Sequence, residues 1–426
     1  MTETHGTDYD VIVIGGGPSG SSYAITMAGS GHSVLLLERE KFPRFHIGES
    51  LLPYTADVLE QLGVLAKLKD VGFPVKKGLE LCGSDGFLRR VGLGEIGDGF
   101  RNWTYQVERA DFDKILLDSA AEAGATVLEE ARVNQVIFSG ERIAGVQYTR
   151  YDEPHSVTAK FVIDASGRAG VVARALHLRK TDNNLKMAAI FKHFGGLDES
   201  YNPGTEGDTQ IGVHKEGWIW AIPIRKDVIS IGAMAPADIL RKSRPDEVFA
   251  AHLPRLPRIE ARIRGTEVYR DLSGESNFEY HSDTLAGPGY FIIGDAGCFT
   301  DPVFSAGVYL ALATGKRAAE QTIKCLDEDG PETELAKLYQ DFFKTGYETY
   351  YRLIRAVYDK RAPVMGQFIQ KMLTDAGIEE KWRVRTLNGD FFTDTNPFVN
   401  QLRMHREWDL FEKYEPLFAC PVYGDR

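Results

Sequence analysis

The fold of this chain is decided by the segment VIVIGGGPSG, residues 11–20. Its first four residues form a short apolar run that is typical of a buried parallel strand. Directly after that run, Gly15, Gly17 and Gly20 stand in the spacing G-x-G-x-x-G. In this spacing the first glycine permits a tight turn and the second lets a phosphate approach the backbone. The third glycine lets the following helix pack closely on the strand.

The residues that follow complete a strand–helix–strand unit. Residues 21–29 carry a helical pattern, and residues 33–37 form a second apolar strand that ends at Glu38. An acidic residue at this place accepts hydrogen bonds from a ribose, and the N-terminus of the helix supplies an anion site. The sequence therefore predicts a dinucleotide-binding domain of the Rossmann type.

Two later strand ends indicate which dinucleotide is bound. The segment FVIDASGR, residues 161–168, ends its apolar run at Asp164, and residues 289–312 lead from a strand through Gly294 and Asp295 into a turn and a helix. An aspartate at a strand end can bind a ribityl chain, and the start of a helix can present N–H groups to a flavin ring. Each segment alone is equally well explained as a structural turn. Their order behind G-x-G-x-x-G indicates FAD.

Composition limits the other classes of function. The 426 residues include 50 Lys+Arg and 61 Asp+Glu, and this net charge of −11 argues against binding to nucleic acid. The polar N-terminus has no signal-peptide pattern, and no run approaches the ~18 apolar residues of a membrane span. The four cysteines form no C-x-x-C pair and the ten histidines no metal-binding spacing. We expect a cytoplasmic enzyme without a metal site.

Two tryptophans stand one residue apart in the segment GWIWAIPI, residues 217–224. In a strand, side chains alternate between the two faces, so Trp218 and Trp220 are predicted to share one face. Large aromatic side chains on one face are most simply explained as a packed core. A functional role for the pair depends on the rest of the sequence.

These segments resemble the glutathione-reductase-type FAD monooxygenases and, within that group, the flavin-dependent halogenases. The element W-x-W-x-I-P is the halogenases' own marker. The resemblance rests on the segments GGGPSGSS, LLLEREKFPRFHIGESLLP, VGFPVKKG, YQVERADFD, GWIWAIP and GDAGCFTDPVFSAGV.

The resemblance and the strand patterns together predict an α/β fold with three units. The first is a Rossmann-like FAD-binding domain of the glutathione-reductase type (GR2), the second an inserted antiparallel β-sheet substrate domain, and the third a C-terminal helical region. Their predicted residues are, in that order, 1–70 with 105–180 and 281–325; 71–104 with 181–280; and 326–426.

The resemblance also implies a reaction. Reduced FAD, delivered as FADH2 by a separate flavin reductase, would react with O2 and with chloride or bromide to give hypohalous acid. A tunnel lysine, here Lys76, would guide that acid to an electron-rich aromatic substrate. Lysine suits this role because burial lowers its pKa, and the neighbouring Lys77 would lower it further. Without the resemblance, two solvated lysines beside a turn explain the same segment.

Further site residues follow from the same resemblance. Trp218 and Trp220 would keep the substrate away from the flavin, and the turn at Ser305 would hold the halide on the backbone N–H groups of Ala306 and Gly307. Halogenases of free tryptophan have a glutamate where this chain has Phe304. This difference implies the branch that acts on phenols or pyrroles, often on an acyl or peptidyl carrier protein.

The residues that the sequence and the resemblance assign to FAD binding lie at strand ends, in the glycine loop or at helix starts. Arg109 among them is explained equally well as a partner in a surface salt bridge. The set is Gly15, Gly17, Pro18, Ser19, Gly20, Glu38, Arg39, Gly48, Glu49, Ser50, Arg109, Asp164, Gly294, Asp295, Ala306 and Gly307.

Two other functions stay open at this point. A FAD monooxygenase of the same fold would hydroxylate or epoxidise its substrate directly and would need no halide. A flavin-binding protein without turnover would bind FAD and serve only as a carrier-protein partner. Halide dependence separates the first alternative from a halogenase, and reactivity of the reduced flavin separates the second.

Overall fold

The computed structural model describes residues 7–83, 86–94, 99–181, 186–197, 206–214, 217–276, 279–328, 330–361, 366–393 and 395–417. Residues 1–6, where a signal peptide would begin, and Cys420 lie outside these ranges. Within them, the chain forms two large β-sheets that are flanked by helices.

Nineteen strands are found among the described residues. They are β1 Tyr9–Ile14, β2 Val34–Leu37, β3 Val75–Lys76, β4 Gly78–Gly83, β5 Leu88–Gly92, β6 Thr104–Tyr105, β7 Thr126–Leu128, β8 Ala131–Ser139, β9 Arg142–Arg150, β10 Glu153–Asp164, β11 Arg179–Thr181, β12 Met187–Gly195, β13 Thr209–His214, β14 Gly217–Pro223, β15 Val228–Pro236, β16 Glu267–Ser276, β17 Tyr280–Ser282, β18 Ala286–Gly287 and β19 Tyr290–Ile292.

Thirteen α-helices are found in the same part of the chain. They are α1 Pro18–Gly29, α2 Pro53–Gln61, α3 Leu65–Val71, α4 Arg109–Glu122, α5 Val171–Ala175, α6 Ala237–Lys242, α7 Pro245–His252, α8 Pro257–Arg262, α9 Gly307–Asp327, α10 Glu332–Val357, α11 Gln367–Ala376, α12 Glu380–Leu387 and α13 Pro397–Arg403.

The first sheet has the order β18-β19-β10-β1-β2-β7, with β8 and β9 attached as an antiparallel extension of β10. Strand β1 lies between β10 and β2 and is parallel to both. The predicted strand–helix–strand unit is therefore confirmed. The helix begins at Pro18, three residues earlier than the pattern suggested, because proline is well suited to the first position of a helix.

Close backbone contacts explain two of the glycines in this unit. A Cβ atom on Gly20 would lie 1.9 Å from the carbonyl oxygen of Gly15, and one on Gly15 would lie 2.5 Å from the carbonyl oxygen of Ala165. Gly15 also has a φ of +104°, which side chains other than glycine rarely adopt. The glycine loop therefore packs directly against the ends of β1 and β10.

The second sheet has the order β16-β12-β15-β14-β13-β4-β5. The prediction of a purely antiparallel sheet was wrong, because β4 and β13 pair in parallel. These two strands come from distant parts of the sequence, so no hairpin imposes an antiparallel direction on them. Helices α7 and α8 contribute Val248, Phe249 and Ile259, and the N-cap of α8 contributes Leu256, to an apolar cluster on one face of this sheet.

The C-terminal part is helical, as its aromatic spacing predicted. Tyr347, Tyr350 and Tyr351 of α10 are buried, each with at most 6% of its surface exposed. Residues 104–105 pair with β3, and helix α4 begins at Arg109.

The described residues contain no helix long and apolar enough to cross a membrane. Nor do they bring three or more histidine, cysteine or acidic side chains together where a metal ion could bind. Cys82, Cys298 and Cys325 are free thiols.

The contact at Gly20 predicts the effect of one substitution. Gly20→Ala should lower the free energy of unfolding by about 1–3 kcal/mol, because the new methyl group would overlap a backbone oxygen that cannot move freely. It should also reduce retention of FAD. Gly29→Ala in the same helix is the matched control, because nothing lies within 4 Å of its Cβ position. Urea denaturation would contradict this account if both variants were as stable as the parent chain.

Candidate active site

The segment Gly48-Glu49-Ser50 contacts the second sheet. Glu49 and His193 of β12 form a buried pair with 2.9 Å between Oε1 and Nε2, and each is 1% exposed. The hydroxyl of Ser50 accepts a hydrogen bond from Lys76 Nζ at 2.9 Å. The sequence assigned Glu49 and Ser50 to cofactor binding, but their described partners are protein side chains.

Lys76 is the most deeply buried lysine that the sequence analysis selected. Only 4% of its surface is exposed. Its ammonium group donates to Ser50 Oγ and, at 3.1 Å, to the carbonyl oxygen of Leu51. Ser50 is 3.1 Å from Thr209 Oγ1, and the side-chain amide of Gln106 donates to Thr209 Oγ1 at 2.7 Å. A chain of three polar side chains, Ser50, Thr209 and Gln106, thus holds the lysine, and Thr209 belongs to the second sheet.

Burial lowers the pKa of Lys76 to about 8, and the Asp208 carboxylate opposes this shift. The predicted contribution of Lys77 was wrong, since Lys77 is exposed on the opposite face of the strand end. Its backbone N–H donates to Asp208 Oδ1 at 3.1 Å. Burial alone therefore makes a neutral amine accessible near neutral pH.

The glycine loop has room for a phosphate. A Cβ atom on Gly17 would meet only the Nη2 atom of Arg44, at 3.7 Å, so the backbone here faces open space beside a guanidinium group. Arg44 Nη1 donates to Asp113 Oδ2 at 2.7 Å. Helix α1 adds the unpaired N–H groups of its first turn. An open backbone, a positive charge and a helix start fit a diphosphate.

Arg109 is buried rather than exposed on the surface. Its Nε and Nη2 atoms donate to the two carboxylate oxygens of Asp113 at 2.8 and 2.9 Å, and Nη1 donates to the carbonyl oxygen of Ile47 at 2.7 Å. Arg109 therefore fixes the segment that leads to Gly48. A Cβ atom on Gly48 would lie 3.0 Å from its Nη1 atom.

The acidic residues of the predicted FAD site differ in their surroundings. Glu38 is buried and accepts from the N–H groups of Gly16 and Glu40 at 2.7 and 2.8 Å, so its carboxylate is held beside the glycine loop. Arg39 is exposed and contacts Glu40, which gives no support to its assignment. Asp164 is fully buried and accepts from two N–H groups at the start of α5. Its oxygens serve to cap that helix.

Asp295 is the acidic residue best placed to bind a polyol. Burial raises its pKa to about 6, and Arg109, Arg168 and Arg179 oppose the shift. Among the described residues, no hydrogen bond to its carboxylate is found, so both oxygens are available to hydroxyl groups. The preceding Gly294 has a φ of +55° and packs 3.0 Å from Ser19, measured from its Cβ position. The available carboxylate oxygens of Asp295 fit the hydroxyl groups of the ribityl chain of FAD.

Trp218 and Trp220 share one face of β14, as predicted. Their ring centroids are 5.5 Å apart, and both side chains are at least 95% buried. They pack in the main hydrophobic core, whereas Ile219 and Ala221 belong to the cluster on the opposite face. Trp220 fits because Gly232 on the neighbouring strand has no side chain, and a Cβ there would lie 2.0 Å from the indole.

The turn before α9 has the features of an anion site. Ser305 has a φ of +58°, a conformation that non-glycine residues rarely adopt. Ala306 is the N-cap of a 21-residue helix, and nothing lies within 4 Å of the Cβ position of Gly307. Gly307 therefore faces open space at the positive end of a helix dipole. Phe304 is half-buried against the core.

Sequence reasoning missed several residues that the structure brings to this region. Arg44 and Asp113 join the glycine loop to Arg109, and the spacing of four residues between Arg109 and Asp113 was a readable signal for an ion pair. No local pattern pointed to His193 or Tyr358. Their partners lie far away in the sequence.

Taken together, the glycine loop, the open strand ends and the α9 turn define a FAD-binding protein with an adjacent anion site. The tryptophan halogenase family model matches residues 10–83 and 96–398. The chain therefore belongs to the tryptophan halogenase family and is a flavin-dependent halogenase, an oxidoreductase that uses FAD, O2 and a halide.

Individual relatives agree with this assignment. The chain is 32% identical over 352 residues to the pyrrole-2-carbonyl peptidyl-carrier-protein brominase of Pseudoalteromonas luteoviolacea, covering 82% of this chain and 85% of that protein. It is 29% identical to the corresponding chlorinase of Pseudomonas fluorescens, covering 82% and 84%. The solved structure of the flavin-dependent brominase Bmp2 superposes with a TM-score of 0.84 at 29% identity, covering 94% and 98%. These matches favour halogenation over direct hydroxylation.

The buried ammonium of Lys76 predicts a pH-dependent stability. Its pKa is about 8 in the folded chain, against an ordinary value of 10.5 for a solvated lysine. The unfolded chain therefore binds more protons between these values, so folding is disfavoured below pH 8 and gains stability as the pH rises to 10.5. Relative to Lys76→Met, the free energy of unfolding should rise by roughly 3 kcal/mol between pH 7 and 10.5.

Lys77→Met is the matched control, because Lys77 is exposed. Urea denaturation at several pH values should show no such difference between this control and the parent chain. An equal pH dependence for both variants would mean that Lys76 is solvated.

Proposed function

We propose that this chain halogenates an electron-rich aromatic ring of the phenol or pyrrole class, and that Lys76 delivers the halogen. The observation that carries the proposal is the burial of Lys76 in a polar chain that includes Ser50, Thr209 and Gln106. A lysine held there without a carboxylate in direct contact is costly for the fold, since burial disfavours its charged form. That cost suits a functional amine better than a structural one.

Bound FADH2 would supply two electrons and the halide another two, so that O2, FADH2, halide and one proton give FAD, water and hypohalous acid. The residues proposed to hold the cofactor are those whose surroundings fit it. Gly17 and Arg44 would face the diphosphate, Glu38 the adenosine ribose, and Asp295 the ribityl chain.

The halide would be held by the N–H groups of Ala306 and Gly307. A helix N-terminus favours an anion, and at this one Gly307 faces open space close to the strained residue Ser305. Trp218 and Trp220 would separate the flavin from the aromatic substrate, because their packed rings leave no room for a second ring. Hypohalous acid is small enough to pass where the substrate is not.

Lys76 can transfer the halogen in two ways. Its ammonium form can donate a hydrogen bond to the oxygen of hypohalous acid and orient the halogen toward the ring. Its neutral amine can react with the acid, forming an N–halogen bond and releasing water. The ring then takes the halogen while its own proton returns to the nitrogen. A pKa of about 8 leaves both forms accessible.

The substrate class is inferred from the turn before α9 and from the relatives. Phe304 provides no carboxylate to bind a free amino acid. Two of the relatives are named for pyrrole groups on a peptidyl carrier protein. We therefore propose a carrier-bound pyrrole or phenol as substrate, with a carrier protein and a separate flavin reductase as partners in the cytoplasm.

A trap for hypohalous acid tests the proposed reaction. The FAD-loaded chain, reduced and then exposed to O2, should halogenate monochlorodimedone only when chloride or bromide is present. An oxygenated product that forms equally well without halide would contradict the proposal.

Lys76→Ala separates formation of the acid from its delivery. We expect this variant to halogenate the trap at the parent rate but to lose transfer to a carrier-bound pyrrole by about 100-fold or more, since a positioned proton-transfer group contributes on that scale. Lys77→Ala is the control and should keep both activities. Full transfer by Lys76→Ala would show that the lysine has another role.

A further inference from the structure

Asp301, in the turn before α9, is a buried carboxyl group held by neutral donors. Only 2% of its surface is exposed. Its Oδ1 accepts the N–H of Val303 at 3.0 Å, and its Oδ2 accepts the hydroxyl of Tyr358 at 2.9 Å. Two tyrosines contact Asp301: Tyr350 lies in α10, and Tyr358 is the C-terminal cap of that helix. Among the described residues, no positive side chain contributes to the pKa of Asp301.

Tyr358 connects this carboxyl group to the tryptophan pair. The Nε1 atom of Trp218 lies 2.8 Å from the hydroxyl of Tyr358. An indole N–H can only donate, so the tyrosine oxygen must accept from Trp218 and use its own proton to donate to Asp301. For the carboxylate form of Asp301, the direction of the two hydrogen bonds is therefore fixed. They join β14 of the second sheet to the turn that leads into α9.

A second tyrosine of α10 holds the same turn. Tyr350, two helical turns before Tyr358, donates its hydroxyl to the carbonyl oxygen of Asp301 at 2.7 Å. Burial and the Asp301 charge raise the pKa of Tyr350, while the backbone N–H groups of Phe304 and Ala306 oppose this. The Tyr350 hydroxyl therefore lies against the backbone of this turn. The hydrogen bonds from Tyr350 and Tyr358 hold Asp301 in place. The turn that follows Asp301 is thereby held as well, which explains how Ser305 keeps its strained φ.

We propose that Asp301 is a positioning residue that ties Trp218, through Tyr358, to the halide-binding turn at residues 305–307. The proposal deepens the proposed function, since it rests on the roles given to that turn and to the tryptophan pair. Movement of the tryptophan face would then move the halide amides, so the two cannot change position independently.

The charge state of Asp301 is consistent with this role. Burial raises its pKa to about 7, while the hydrogen bonds from Tyr358 and Val303 oppose the shift. The titratable side chains that face it are Tyr358 and, at its backbone oxygen, Tyr350. A carboxyl group that is neutral in a large part of the molecules at pH 7 does not repel an anion bound in the same turn.

Tyr358→Phe tests the proposal because it removes only the linking hydroxyl. We expect KM for bromide to rise about tenfold, the effect of one lost hydrogen bond, with less than a twofold change in kcat for trap halogenation. The tryptophan emission of the chain should also shift, and this shift should disappear when Trp218→Phe is the background. The emission reports on the hydrogen bond between Trp218 and Tyr358 even when the enzyme does not turn over.

Tyr339→Phe is the matched control on the same helix. Its buried hydroxyl donates to the carbonyl oxygen of Ile292 at 2.7 Å. This hydrogen bond does not involve the turn at Asp301. It should lose similar stability but keep the parent KM for bromide. The proposal is overturned if Tyr358→Phe leaves both KM and emission unchanged, or if Tyr339→Phe raises KM equally. Absence of trap product from the parent chain would instead defeat the proposed function.

Discussion

The contact between α1 and α9 is the constraint on which the rest of the site depends. A Cβ atom on Gly315 of α9 would lie 2.3 Å from the carbonyl oxygen of Ser19, and one on Gly294 would lie 3.0 Å from Ser19 Cβ. The hydroxyl of Ser22 also donates to the carbonyl oxygen of Leu312. Gly315 is eight residues after the start of α9, or about 12 Å along the helix. Two helix N-termini, one suited to a diphosphate and one to a halide, are thereby held at a fixed separation.

The second sheet contributes side chains to the site that α1 and α9 do not provide. It supplies Thr209 to the polar chain around Lys76, His193 to Glu49, and the tryptophan pair to the core between the sheets. A buried lysine is tolerated only where several polar groups surround it, and here those groups come from Ser50, Gln106 and the second sheet. The environment of the proposed reacting amine therefore depends on the packing of the second sheet against the segments that carry Ser50 and Gln106.

The sequence predicted the parts of this account that depend on local patterns. The glycine spacing predicted β1, α1 and β2, and the alternation of side chains in a strand correctly placed Trp218 and Trp220 on one face. The error concerns a contact between distant residues, since no local pattern indicates that β4 and β13 pair in parallel. The assignment of Asp164 to FAD binding stays a prediction, although its carboxylate accepts two N–H groups of α5.

Some residue assignments came from the family resemblance and not from the spacing of residues in the sequence. It selected Lys76 over Lys77, and the structure shows the physical difference between them, since one is buried and the other exposed. It also attached Arg39 to the cofactor, although Arg39 is exposed, and it overlooked Arg44, which faces the glycine loop.

The most direct test is a crystal structure of the FAD-loaded chain in bromide, with anomalous scattering used to locate the ion. The account predicts a bromide peak in contact with the N–H groups of Ala306 and Gly307, on the flavin side of Trp218 and Trp220. A bromide peak beside Lys76, with none at the α9 turn, would contradict the separation between the place where the halogenating acid forms and the place where it is used.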